Sequence, residues 1–177
     1  MSALDAVKGW GSTAEERDQK LACDQLVPDP KVILLRAVDI DAPPPLVYRW
    51  LCQLRYAPYS YDLIDNRGRR SPQELTPGAD RLVLGQRMVA IFKLAHFEPG
   101  EQLTLESRSR LLGHVALTYL VRDRGAGASR LLLRIAWGPP RLPGARQVLA
   151  VGDLVMARRQ LLNLKALAER DAHRIRA

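Results

Sequence analysis

The sequence predicts an α+β fold in which a curved antiparallel sheet wraps around one long C-terminal helix. Between residues 86 and 137, four segments rich in β-favouring residues are separated only by short turns, which is typical of an antiparallel meander. Residues 153 to 171 repeat apolar positions at helical spacing and contain no Pro or Gly. Because sheet and helix each have an apolar face, the two are expected to pack against each other.

The length and composition fit one domain. The chain has 177 residues, 47% of them hydrophobic and 26% charged. No apolar stretch approaches the roughly 20 residues of a membrane-spanning helix, and residues 1 to 10 lack the pattern of a secretory signal. Two cysteines are too few for a disulfide framework. We therefore expect a soluble, cytoplasmic protein with an N-terminal arm (1–31), one domain (32–172) and a frayed tail (173–177).

The first elements follow from local patterns. Gly and Pro interrupt the arm, so we expect an irregular segment that wraps the domain, with a short helix near residues 13 to 21. Alternation over residues 32 to 41 predicts a strand with Arg36 on its apolar face. Pro43, Pro44 and Pro45 suit a helix start. Residues 55 to 82 are typical of a loop.

The later elements complete the predicted sheet and helix. The strands are expected over residues 86–97, 102–110, 114–122 and 129–137. Asp153 is the predicted N-cap of the last helix, which is expected to end near Asp171. One helix cannot completely fill a strongly curved sheet, so a cavity between them is expected.

The positive charge is concentrated towards the C-terminus. The chain has a formal charge of +8, with −2 in residues 1–106 and +10 in residues 107–177. Its arginines are spread singly over several predicted elements, without a long basic run or interleaved aromatic residues. We therefore expect no nucleic-acid partner, and a solvated arginine-rich surface instead.

Several residues are candidates for contacting a small molecule in the predicted cavity. Tyr59 and Tyr61 share one face if the chain is extended, with Asp62 beside them, and phenols can orient an apolar ligand. Closure of the core is an equally good interpretation of the two tyrosines. Arg36 is a candidate charged anchor, which would need an anionic neighbour if buried. The remaining candidates are Phe92, Trp137, Met156 and Arg159.

Catalytic signatures are mostly absent. The sequence lacks the Gly-x-Ser-x-Gly elbow and the glycine-rich phosphate loops. Cys23 and Cys52 lack metal-ligand spacing, so no metal and no cofactor are expected. His96, His114 and Glu106 are weak acid–base candidates that would need to face the cavity. Solvent-facing imidazoles are the alternative.

Four stretches resemble a known superfamily. These are the arm with Gly9-Trp10-Gly11, the segment 36–53, the tetrapeptide 59–62 (YSYD), and the helix segment 156–169. They are similar to the SRPBCC proteins of the START-like superfamily, which includes Bet v 1-like proteins, lipid-transfer domains and polyketide cyclases. The resemblance implies a helix-grip fold.

The expected function is binding of a hydrophobic small molecule, lipid-like or polyketide-like, between the sheet and the last helix. A cyclase or aromatase-like enzyme is one alternative. The other is an interaction module whose core is filled by its own side chains. The expected partners are this small molecule and, as an option that the sequence leaves open, a second copy of the chain in a homodimer.

Overall fold

The computed structural model describes residues 9–61, 68, 70–89, 91–109, 113–139 and 145–177, with side chains omitted for 145–154. The helices are α1 (Ala14–Asp18), α2 (Ala22–Leu26), α3 (Pro44–Cys52) with a 3₁₀ turn (Gln53–Arg55), and α4 (Ala145–Arg176). The strands are β1 (Val32–Ile40), β2 (Arg87–Met88), β3 (Phe92–Glu98), β4 (Gln102–Ser109), β5 (Gly113–Gly125) and β6 (Ala128–Trp137). They form one curved antiparallel sheet in the order β1-β6-β5-β4-β3-β2, which confirms the predicted α+β class.

The strand predicted over residues 86–97 is divided into β2 and β3. Val89 has a φ of 38°, and its amide donates to the carbonyl of Leu54 at 2.9 Å. The amide of Ile91 turns back to the Val89 carbonyl at 2.7 Å. Because the Val89 amide binds Leu54, it does not form a hydrogen bond with a neighbouring strand, and the strand is interrupted. A pattern of β-favouring residues cannot indicate such a contact.

Helix α4 is longer than predicted at both ends. It begins at Ala145, so Asp153 lies within the helix and is not its N-cap. The single Gly152 costs a helix only about 1 kcal/mol relative to Ala. The helix also passes Asp171 and includes residues 173–176, where the guanidinium of Arg174 contacts Glu74 at 3.1 Å. The predicted frayed tail is therefore largely helical.

The inner face of the sheet forms the main core. Alternate residues of each strand point towards α3 and α4, as the register requires. Trp50 of α3 and Leu161 and Leu164 of α4 are almost completely buried against this face. The strand residues of this cluster include Leu34, Ile40, Leu103, Leu105, Leu117, Tyr119, Leu131, Leu133 and Ile135.

The N-terminal arm covers the outer face of the sheet. Leu21, Cys23 and Val27 are buried in a second apolar cluster with alternate residues of the strands. Gly11 has a φ of 71°, and a Cβ there would lie 2.1 Å from the Ala37 carbonyl oxygen, so this approach requires glycine. Because both faces are covered, the central strands are apolar on both sides, and this explains the unbroken run over residues 131–133.

Two arginines of β6 bind the arm through carboxylates. The Nε of Arg134 donates to both oxygens of Asp24, at 3.0 and 2.8 Å, and both side chains are at least nine-tenths buried. Arg130 makes a bidentate contact with Glu16, at 2.9 Å for each pair of atoms. Arg130 and Arg134 belong to the C-terminal arginines that we expected to face solvent, but they bind the arm instead.

Substitution Asp24→Asn tests the buried pair. Because it leaves the Arg134 guanidinium buried without its carboxylate, the free energy of unfolding should fall by about 3 kcal/mol, as measured by urea denaturation. The control is Asp29→Asn, which removes the exposed contact between Asp29 and Lys31 and should cost no more than about 1 kcal/mol. Equal effects of the two substitutions would contradict this role of Asp24.

The Glu16 contact predicts acid sensitivity. The hydrogen bond from Arg130 holds the pKa of Glu16 below its ordinary value of 4.5, so the pair stabilises the folded state fully above that value. This contribution is lost as the pH falls below 4.5 and through the folded-state pKa. Thermal unfolding at pH 7 and pH 3 measures this contribution. Glu16→Gln should lower Tm at pH 7 and should reduce the difference in Tm between pH 7 and pH 3. If the difference in Tm is the same in the variant as in the wild-type protein, Glu16 is not the source of the acid sensitivity.

Candidate functional site

The segment after the 3₁₀ turn makes a tight bend at Tyr59. Tyr59 has a φ of 56°, an uncommon backbone conformation for a residue with a side chain. Its ring is buried edge-to-face against Trp50, with 6.0 Å between ring centroids. Its hydroxyl donates to the Pro72 carbonyl at 3.0 Å, and its carbonyl accepts from the Asn163 amide at 2.8 Å. The bend is therefore fixed between the core, α4 and the chain near Pro72.

Gln53 joins the two sides of this segment. The buried amide donates to the Tyr59 hydroxyl at 3.3 Å and to the Glu74 carbonyl at 2.9 Å. Its oxygen accepts from the backbone amide of Thr76 at 3.2 Å. One side chain at the end of α3 thus holds both the bend at 59 and the chain at 74–76.

Gln160 connects α4 to the sheet and to the same bend. Its oxygen accepts from the Tyr119 hydroxyl of β5 at 2.5 Å. Its amide donates to the Pro58 carbonyl at 2.5 Å. The side chain is buried, and a buried amide that is paired at both ends fixes the distance between the elements that it joins.

These contacts border an open cleft between α4 and the segments 59–61 and 70–73. Its volume is about 680 Å³, which lies within the usual range for small-molecule sites. Within the part of the chain that the structure describes, no strand residue lines it. The lining residues are Tyr59, Ser60, Tyr61, Arg70, Ser71, Gln73, Arg159, Asn163, Ala166 and Leu167.

Three of the predicted ligand residues meet at this cleft. Tyr59 contributes to its wall but is only 2% exposed, so it also has the core-closing role that was its alternative interpretation. Tyr61 is 38% exposed, and Arg159 enters from α4. Asp62, the fourth candidate near this point of the chain, lies outside the described residues.

The other ligand candidates lie elsewhere. Arg36 is completely buried on the inner face, and its guanidinium donates to the Leu35 carbonyl at 3.0 Å. Trp137 and Phe92 end β6 and begin β3, and both contact the inner core. Met156 is 37% exposed on α4 and is not among the described residues that line the cleft.

The acid–base candidates occupy the outer face of the sheet, opposite α4. Glu106 contacts His114 at 2.6 Å and Arg108 at 2.9 Å. Partial burial opposes ionisation of Glu106, but these two hydrogen bonds outweigh it and lower its pKa. His96 lies apart, 3.3 Å from Glu98, in a groove of about 640 Å³ below the arm. The three side chains do not form one site on the inner face.

The cysteines are unsuited to chemistry. Burial raises the pKa of the Cys23 thiol to about 11 and that of Cys52 to about 12, and a buried thiol is unreactive. Among the described residues, no group of three or more His, Cys, Asp or Glu could hold a metal ion. Within the same residues, no helix is both long and apolar enough to cross a membrane.

Sequence reasoning missed most polar residues of the site, among them Gln53, Arg70, Gln160 and Asn163. A glutamine at position 160, beside the apolar stripe of α4 at 157, 161, 164 and 168, was a visible signal of a buried hydrogen bond. Arg70 lies in a segment without periodicity, so no pattern could have placed it against α4.

No family model matches the chain, and no curated protein does. Solved structures do. A hypothetical protein of Helicobacter pylori has a TM-score of 0.54 at 10% identity, over 84% of this chain and 95% of that one. A protein of Mesorhizobium loti has a TM-score of 0.51 at 16% identity, over 78% and 97%.

The third similar structure is the di-domain ARO/CYC BexL from the BE-7585A biosynthetic pathway. Its TM-score is 0.51 at 14% identity, and the match covers 77% of this chain and 46% of that one. Identities this low show the fold alone. Together with the six-stranded antiparallel sheet and the long C-terminal helix, these likenesses confirm the predicted helix-grip fold.

Proposed function

We propose that this protein binds a small amphipathic molecule with a hydrophobic body in the cleft beside α4. The cleft itself carries the proposal, because it is large enough for a drug-sized ligand and lies against the C-terminal helix of a helix-grip fold. We include in this proposal the expectation from the sequence that the ligand is lipid-like or polyketide-like.

The lining supports a ligand with both apolar and polar parts. Leu167, Ala166 and the ring of Tyr61 offer apolar surface, while the hydroxyl and amide groups of the cleft offer hydrogen bonds. On α4, Met156 precedes Asn163 and Leu167 at helical spacing and is exposed on the same side. The wall of the cleft therefore continues along the helix as apolar surface.

Binding is favoured over catalysis by the positions of the titratable side chains. A cyclase-like reaction needs an acid or base within hydrogen-bond reach of its substrate. Among the described residues that line the cleft there is no His, Asp or Glu, and His96, His114 and Glu106 lie on the outer face. The ARO/CYC name of BexL is the reason to consider a cyclase as the alternative, but a likeness at 14% identity shows only a shared fold.

Substitution Ala166→Trp tests the cleft as the site. Ala166 is exposed on α4, so the indole should fill the cleft without disturbing the core. We expect the wild-type protein to enhance the fluorescence of the neutral dye phenylnaphthylamine on binding, and Ala166→Trp to weaken that affinity at least about tenfold.

The matched control is Ala14→Trp, which places an indole on the exposed α1 of the arm. It should leave dye affinity unchanged. A dye that binds the wild-type protein and Ala166→Trp equally would exclude this cleft.

Substitution Tyr61→Phe tests the polar part of the site. If the phenol donates a hydrogen bond to the ligand, its loss should weaken binding about three- to tenfold. Tyr56→Phe is the control, because Tyr56 is also exposed but does not line the cleft. The readout is a competition titration of a ligand recovered with the purified protein and identified by native mass spectrometry. Equal effects of both substitutions would argue against a specific role of Tyr61.

A further inference from the structure

Resting on the proposed function, we infer that the ligand of this cleft is an amphipathic acid whose anionic group is bound by Arg70 and Arg159. The two arginines belong to opposite walls. Arg70 comes from the segment 70–73, and Arg159 comes from α4. An anionic group between the walls would thus contact both parts of the chain that form the cleft.

The charge of the lining supports this inference. Of the ten described residues that line the cleft, two are arginines and none is acidic. Both arginines are exposed, so solvent screens each of them, but two cations that line one opening add their attraction for an anion that binds there. The cleft therefore favours a negatively charged group over a neutral one.

The pairing of the arginines matters because a guanidinium that already binds a carboxylate is less available to a ligand. Within the described ranges, neither Arg70 nor Arg159 forms an ion pair with a carboxylate. The nearby Arg170 contacts Asp171 at 2.7 Å, and Arg174 contacts Glu74 at 3.1 Å. Among the described residues, the carboxylates of Asp171 and Glu74 thus pair with other arginines, and the two cations of the cleft keep their capacity for an external anion.

The chemistry of the guanidinium group sets the class of ligand. Its planar N–H donors match the two oxygens of a carboxylate, or two oxygens of a phosphate or sulfonate. Tyr61, Ala166 and Leu167 lie in the same cleft and offer surface to an apolar body. A fatty acid or an acidic aromatic compound has both parts.

A matched pair of dyes tests this inference. Phenylnaphthylamine is neutral, whereas anilinonaphthalene sulfonate has the same ring system with one sulfonate. We expect the wild-type protein to bind the sulfonate about tenfold more tightly than the neutral dye. Arg159→Gln and Arg70→Gln should each weaken sulfonate binding about three- to tenfold and leave binding of the neutral dye unchanged.

The control is Arg158→Gln, which removes the same charge one residue away. Arg158 is exposed, stacks on Trp10 at 5.3 Å and does not line the cleft, so this substitution should leave the affinities for both dyes unchanged. If Arg158→Gln weakens sulfonate binding as much as Arg159→Gln does, the preference reflects general charge and the inference is wrong.

The two proposals fail in different ways. Failure of the wild-type protein to bind either dye would contradict the proposed function. In a second outcome, the wild-type protein binds both dyes equally well and Ala166→Trp blocks binding of the neutral dye. That result would leave the proposed function intact and would overturn only the inference that the ligand is an acid. Circular dichroism and thermal unfolding of each variant show whether it is folded, so that a loss of binding is read only from folded protein.

Discussion

The hydrogen bonds of Gln160 connect three parts of the molecule that are far apart in sequence. Through the Tyr119 hydroxyl, at 2.5 Å, α4 is joined to the centre of the sheet. Through the Pro58 carbonyl, at 2.5 Å, it is joined to the chain that bends at Tyr59. A buried amide without these partners would cost about 1–3 kcal/mol, so the three parts are held in one arrangement. The cleft exists between two of them, and its width depends on this contact.

Burial on both sides of the sheet explains much of the composition. The inner face packs on α3 and α4, and the outer face packs on the arm, so apolar residues are needed on both sides of β5 and β6. The arm is short and polar, and its apolar contacts are few. Arg130 and Arg134 supplement them by binding Glu16 and Asp24. The basic residues after position 106 and the carboxylates of the arm are therefore partly two sides of one intramolecular contact.

The arginines of the chain have different partners. Some are paired with carboxylates, as Arg170 is with Asp171. Arg70 and Arg159 have no such partner within the described residues, and they line one opening together with hydroxyl and apolar groups. Net charge alone pointed to no particular partner. The placement of these two arginines in one opening supports our proposal that the ligand is a small acid with an apolar body.

The sequence by itself determined the class of fold and nearly all of its elements, because periodicities of 2 and 3.6 residues follow directly from burial on one side of a strand or helix. It also named Tyr59, Tyr61 and Arg159. The tertiary structure decided where those residues meet. The division at Val89 depends on a hydrogen bond to Leu54, the start of α4 at Ala145 lies eight residues before the predicted cap, and the outer position of Glu106 depends on strand register. The division at Val89 and the position of Glu106 are set by partners distant in sequence, and no local pattern records a distant partner.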